Sequence, residues 1–236
     1  MKNIKGSAIL VVVMVLMVVS IITTAAARLS MSSLQQSSIG QAKRVLENEN
    51  DVALRFIFGD TPTTAMKAAT GIFGFTKAKT GKEVIWCMPA KISTASTFFV
   101  STKTSTGEFT TGNSPNMTAG GTTGFCKASK EDNYTSVRKN IMTQIALFKE
   151  TAKTATGVTG GSLTTGDVYT ATVTSFLPKM TTATEAQIDA CLSSKMNNMN
   201  YITHSGGNAT ARQTVGQCLK DLGVPVYVTT ATYVVQ

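Results

Sequence analysis

Four cysteines, Cys87, Cys126, Cys191 and Cys218, are the residues of this chain whose chemistry is easiest to place. They lie too far apart to form the Cys-x-x-Cys pairs with which short motifs grip zinc. An even number of thiols, all beyond an apolar N-terminal run, points instead to two disulfides made in an oxidising compartment. Four cysteines allow three connectivities. The pairs Cys87–Cys126 and Cys191–Cys218 are favoured, because each then brackets one loop-rich or helical unit.

Other reactive groups are sparse. His204 is the single histidine, next to a Gly-Gly turn, and no Ser or Cys nucleophile pattern accompanies it. Thr80-Gly81-Lys82 is similar to the end of a phosphate-binding loop, but Glu83 replaces the Ser/Thr and Thr76 replaces the first Gly. There are 13 acids, of which Glu131-Asp132 is the closest pair, and no Asp/Asn-rich calcium loop. The sequence therefore predicts no catalysis, no cofactor and no metal. Asn116, Asn133 and Asn208 each open an Asn-x-Thr glycosylation tripeptide. So short a pattern arises by chance in a Thr-rich chain, and these stay unassigned.

The formal charge is +9. Such a balance favours anionic partners such as DNA, lipid headgroups or acidic polymers, and it also serves solubility. Lys67, Lys77, Lys79 and Lys82 form a run of cations against the single acid Glu83, a pattern able to contact phosphates. No aromatic or arginine pattern accompanies it.

The elements that must position these groups begin with an apolar run. From Ala8 to Ala27 there is no charge and no proline, and only Ser20, Thr23 and Thr24 are polar. About 20 apolar residues span a bilayer as a helix. Beyond Arg28 the pattern turns amphipathic, with Met31, Leu34, Ser38, Ala42, Val45, Val52 and Phe56 at helical spacing and Glu49 interrupting. Lys43, Arg44, Glu47, Asp51 and Arg55 occupy the opposite face. Gly40 is a weak point, since glycine costs roughly 1 kcal/mol relative to alanine inside a helix. Gly59-Asp60-Thr61-Pro62 ends this helix near Phe58.

In the head, strands are expected at Glu83–Met88, Thr97–Thr102, Val168–Phe176 and Val224–Val235. A helix is expected over Asn133–Thr151, from the spacing of Val137, Ile141, Ile145 and Phe148. Thr104–Gly124 and Gly157–Gly166 read as exposed loops. Two similar pieces, Ala183–Leu192 and Ala209–Leu219, read as helices with Thr near their starts, separated by the turn Ser205-Gly206-Gly207-Asn208. Gly223 stops the second.

Lys5-Gly6-Ser7-Ala8-Ile9-Leu10, with the uninterrupted helix behind it, resembles the class III leader of type IV pilins and pseudopilins. In that family a dedicated peptidase cuts after the glycine and the apolar helix stays on the mature protein. The resemblance places cleavage between Gly6 and Ser7, which takes the charge to +7 by removing Lys2 and Lys5 (9 minus 2). It is close over roughly the first sixty residues and holds only in outline over the head. The family usually has an aromatic after the glycine and Glu as the fifth mature residue, where this chain has Ser7 and Val11. The missing acid is characteristic of PilX-type minor pilins and of the K-type minor pseudopilin of type II secretion. The latter usually carries a large helical insertion, which this sequence does not suggest. A disulfide-closed region near the C-terminus also recurs in the family.

The resemblance implies an α+β protein: a class III leader over 1–6, a membrane-spanning then amphipathic assembly helix over 7–58, and a disulfide-bonded head with an antiparallel sheet and short helices over 59–236. It implies a non-enzymatic subunit at or near the tip of a type IV pilus, in the inner membrane before assembly and extracellular afterwards. Its partners would be the prepilin peptidase, other minor pilins, the major pilin, a tip adhesin and DNA. The alternatives are a type II secretion pseudopilin, a membrane-anchored binding protein with no filament role, and a secreted protein cut after Ala27 by signal peptidase.

Overall fold

The computed structural model describes residues 5–59, 64–90, 98–109, 115–118, 124–159, 162–197 and 213–235; for 5–9, 31–36, 38, 109, 115, 151–159 and 162–165 it describes the backbone alone. The chain divides into two compact units, Met1–Arg44 and Val45–Gln236. The first helix, α1 (Lys5–Phe58), supplies all that is described of the first unit and opens the second. It stays helical through Gly40.

The second unit is a six-stranded antiparallel sheet of order β3-β2-β1-β4-β5-β6. Its strands are β1 (Glu83–Cys87), β2 (Ser105–Phe109), β3 (Pro115–Thr118), β4 (Met142–Thr159), β5 (Ser162–Phe176) and β6 (Val226–Val235). One face carries Val84, Trp86, Ile145, Leu147, Tyr169, Ala171 and Val173, alternate residues along three strands. These pack against Ala53 and Ile57 of α1, against Met66 of α2 (Thr64–Lys67) and against Ile72 and Phe73 of α3 (Ile72–Ala78). The opposite face carries Met142 and Phe176, covered by Ile188, Cys191 and Leu192 of α4 (Glu185–Ser194) and by Val215 and Leu219 of α5 (Val215–Asp221). A sheet buried on both faces is a core in itself, with each fully buried Leu, Ile or Phe contributing about 1.5–3 kcal/mol.

The face that α1 buries in this unit is not the one the apolar stripe suggests. Leu46, Asn50, Ala53 and Ile57 are buried, while Val45 is 45% and Phe56 37% exposed. The stripe is rotated by one residue because polar Asn50 finds partners under the helix. On the opposite charged face Lys43, Arg44, Glu47, Asp51 and Arg55 are all exposed.

Four further expectations are corrected. The helix expected over Asn133–Thr151 is a 3-10 turn at Glu131–Asn133, a tight turn at Ser136–Lys139 and then strand β4. A strand buried on both faces reads as a near-continuous apolar run, and over a few residues its spacing imitates a helix. Val137, the first residue of the supposed helical face, is 96% exposed. Gly157–Gly166 is not an open loop, because β4 and β5 continue to pair from Gly157↔Thr164 to Thr159↔Ser162. The loop expected over Thr104–Gly124 contains β2 and β3. Of the strand expected over Thr97–Thr102, Phe98 is helical, Phe99 and Val100 are irregular and a 3-10 turn follows at Ser101–Lys103; residues 91–97 lie outside the described residues. Phe98 and Phe99 turn inward to meet the Trp86 ring edge-on at 5.8 and 5.2 Å.

The terminal helices follow local signals more closely. Thr184 caps α4 with a full capping box, its side chain accepting from Gln187 N–H while Gln187 reaches back to Thr184 N–H. The second helix begins later than expected, at Val215 with Thr214 as its cap. Residues 198–212, which hold the expected turn at Ser205–Asn208 and the start at Thr210, lie outside the described residues. Gly223 ends α5 at φ +70°, a conformation that disfavours any side chain.

Candidate functional site

The feature of greatest chemical consequence in the first unit is uncovered apolar surface. Leu10–Ser30 has a mean hydropathy of 2.7 and none of it is buried by the rest of the chain. It is long and apolar enough to cross a membrane. Ten Leu, Ile and Val side chains fall between Leu10 and Ile22. At about −0.3 to −0.6 kcal/mol each on an insertion scale, they favour the bilayer by roughly 3–6 kcal/mol. Two hydroxyls in the run are satisfied internally: Thr23 donates to Val19 O at 2.9 Å and Thr24 to Ser20 O at 2.7 Å. Such back-bonding removes the cost of unpaired donors in hydrocarbon. Gly6 and Ser7 lie in the first turns of α1, and Val11, one turn on, is 56% exposed.

In the second unit the cysteines form Cys87–Cys126 and Cys191–Cys218. The first joins the end of β1 to the segment before Tyr134, and the second ties α4 to α5. Next to them lies a buried polar cluster that sequence reasoning missed. Both oxygens of Glu83 accept from Asn197 N–H, at 3.1 and 3.0 Å. The Gln144 carbonyl accepts from Cys126 N–H at 3.1 Å, and its amide donates to Leu192 O at 3.2 Å. Glu83, Gln144 and Asn197 are at most 4% exposed. They attach the disulfide-linked layer to the sheet through hydrogen bonds with fixed directions. Glu83 thus fastens two layers together. Nothing in the local sequence marks it as buried, because its partner lies 114 residues away.

The cation run is partly neutralised. Lys77 pairs with Asp167 at 2.8 Å and Lys82 with Glu108 at 2.9 Å, while Lys79 lies 6.0 Å over the Phe75 ring. Burial pushes the Asp167 carboxyl up, but hydrogen bonds and charge from Lys77 and Lys149 outweigh it and hold the group below the usual carboxylate range. Burial, with the Asp167 charge adding, pushes the Tyr169 phenol up to about 12, and its hydroxyl donates to Phe73 O at 3.2 Å. Asn133 is 7% exposed and accepts from Lys127 N–H, so the asparagine of this glycosylation tripeptide is buried. An apolar cleft of about 310 Å³ opens between α2–α3 and the Phe98–Ser101 turn, lined by Met66, Ile72, Phe98, Phe99 and Val100 among others. Among the described residues no group of three or more His, Cys, Asp and Glu gathers to hold a metal. His204 lies outside the described residues.

No family model, curated protein or solved structure matches this chain.

Proposed function

We propose that this protein is a minor pilin of the PilX kind, a non-enzymatic structural subunit at or near the tip of a type IV pilus. It would help initiate assembly and contribute to adhesion, aggregation or DNA uptake. One observation carries the reading: a single helix, Lys5–Phe58, is bare and apolar over Leu10–Ser30 and ends as a core element of a disulfide-closed α+β head. An apolar helix that must be covered and a head that needs an oxidising compartment suit a subunit drawn from the inner membrane into an extracellular fibre. The short helices of the head, four to ten residues each among the described residues, favour this over a pseudopilin with a large helical insertion.

On this reading the prepilin peptidase cuts between Gly6 and Ser7. The mature helix then packs with other minor pilins and the major pilin, and the head meets a tip adhesin. DNA is the least supported partner, because Lys77 and Lys82 are engaged with Asp167 and Glu108.

N-terminal sequencing of membrane-extracted protein tests the processing step. A start at Ser7 is expected. A start at Arg28 would mean an ordinary signal peptide, and a retained Met1 a plain anchor; either overturns the reading. Immunogold labelling should then find few copies, at one filament end, and label spaced along the shaft would rule out the tip.

A further inference from the structure

Among the described residues the outer edge of β6 is open. It is an end strand of the sheet, and among the described residues no strand pairs with its far side. Val226–Val235 pairs with β5 through ten consecutive residues without a bulge, so the edge is long and regular. Its sequence, Val-Tyr-Val-Thr-Thr-Ala-Thr-Tyr-Val-Val, contains no charge and no proline. Natural edge strands of this length are usually protected by lysine, proline, a bulge or a cover. Here Val228 and Val234 stand 42% and 37% exposed on one face.

The strand is also nearly symmetric about Thr230. An antiparallel partner with the same sequence, centred there, sets Tyr227 opposite Tyr233 of the second copy, Val226 opposite Val234, and Val228 opposite Thr232. Each of these pairs joins residues that share a face, and aromatic and β-branched cross-strand pairs are favourable.

The layer above the sheet fits the same symmetry. The end of α1 runs along β6 in the strand direction: Glu47 accepts from the Tyr227 hydroxyl, Asn50 donates to Thr229, and Phe58 stacks on Tyr233 with centroids 4.9 Å apart. Asn50 also reaches Val173 O on β5 and Tyr227 O on β6, which places the helix over the interval between these two strands. With strands about 4.8 Å apart, pairing would bring the two helices to about 10 Å, near the upper end of ordinary helix packing distances. They would run antiparallel, with the level of Val52 at the two-fold axis. That sets exposed Arg55 near the acidic Glu49–Asp51 level of the other helix, so charges complement in both directions.

We propose that the outer edge of β6 binds β6 of a second copy of this chain, antiparallel and in register about Thr230, making one continuous sheet. The interface is isologous, as two-fold pairing requires. The inference stands on the head alone and does not depend on the pilin reading. The test is run on the full chain in detergent, which covers the apolar Leu10–Ser30 segment.

The full chain is purified with Thr230→Cys and oxidised mildly. Directly opposed residues of an antiparallel pair have Cα atoms about 4.5–5.5 Å apart, within disulfide range. Most of the chain should convert to a covalent dimer, whereas Val137→Cys, at the most exposed large apolar position, should not. Thr230→Lys, which sets lysine against lysine at the axis, should return the native mass to monomer while the head still unfolds in one cooperative transition, at a midpoint that no longer depends on protein concentration. A monomeric Thr230→Cys chain, or equal crosslinking by the two cysteine variants, overturns the proposal. So does crosslinking of Thr230→Cys in membranes to a different protein while the purified chain stays monomeric, which would assign the edge to a foreign strand.

Discussion

Asn50 is the residue on which the seating of α1 on the sheet is most sharply tested. Its amide donates to Val173 O at 3.2 Å, to Tyr227 O at 3.2 Å and to Thr229 Oγ1 at 3.0 Å, tying one helix position to two strands. Asn50→Ala leaves the buried Val173 O and two half-buried acceptors without their donor, at about 1–3 kcal/mol for an unsatisfied group. Its own Oδ1 has no partner among the described residues, so removing that atom offsets part of the loss. For a head of this size each kcal/mol lowers Tm by about 2–4 °C, which gives a drop of roughly 2–12 °C. Asn48→Ala, two positions away on the same helix and exposed, is the matched control. Trp86 is the single tryptophan and is buried against Phe98 and Phe99, so its fluorescence reports unfolding of the sheet core. Asn50→Asp should be worse at neutral pH than at pH 4. The introduced carboxylate faces carbonyl oxygens, burial raises its pKa, and protonation restores a donor. If Asn50→Ala melts within about one degree of Asn48→Ala, the hydrogen bonds do not fasten the helix and the argument fails.

Three further outcomes are expected. Removing Cys87–Cys126 by double Ala substitution should cost about 4 kcal/mol and removing Cys191–Cys218 about 3.5 kcal/mol, from closed loops of 39 and 27 residues; identical urea midpoints for reduced and oxidised protein would contradict both. Tyrosine absorbance should show an ionisation near 12 that Tyr169→Phe removes. Because that pKa is raised on folding, the stability it brings is complete below pH 10 and is lost as pH rises toward 12, and a flat alkaline limb in the unfolding free energy would refute it. On the pilus reading, Val11→Glu should still be cut after Gly6 but should lower the number of filaments, because a subunit with no neighbour above it leaves a buried acid unpaired; unchanged piliation would count against tip placement.

The head shows where sequence reasoning stops. The four-residue spacing of Val137, Ile141, Ile145 and Phe148 suits a helix, yet β4 is a strand because Gln144–Phe148 has partners on both sides, β1 and β5. Spacing alone does not distinguish a strand buried on both faces from a short buried helix. The Gly- and Thr-rich stretches near 105 and 160 read as loops because their pairing partners, not their own propensities, make them strands.

What the sequence determined by itself is local. The Ala8–Ala27 run specifies a helix that must be covered by lipid or protein, since its hydropathy needs no distant partner to be read. Thr184 and Gln187 start α4, and Gly223 ends α5, by bonds reaching three or four residues. The tertiary structure decided everything that depends on a distant partner. It chose which face of α1 is buried, because only Val173, Tyr227 and Thr229 make Asn50 an interior residue. It made Glu83 a clamp on Asn197, and it placed β6 at the end of the sheet. Each of these depends on groups brought together from more than a hundred residues apart, or on the place of a strand at the end of the sheet, and no short window of sequence contains either.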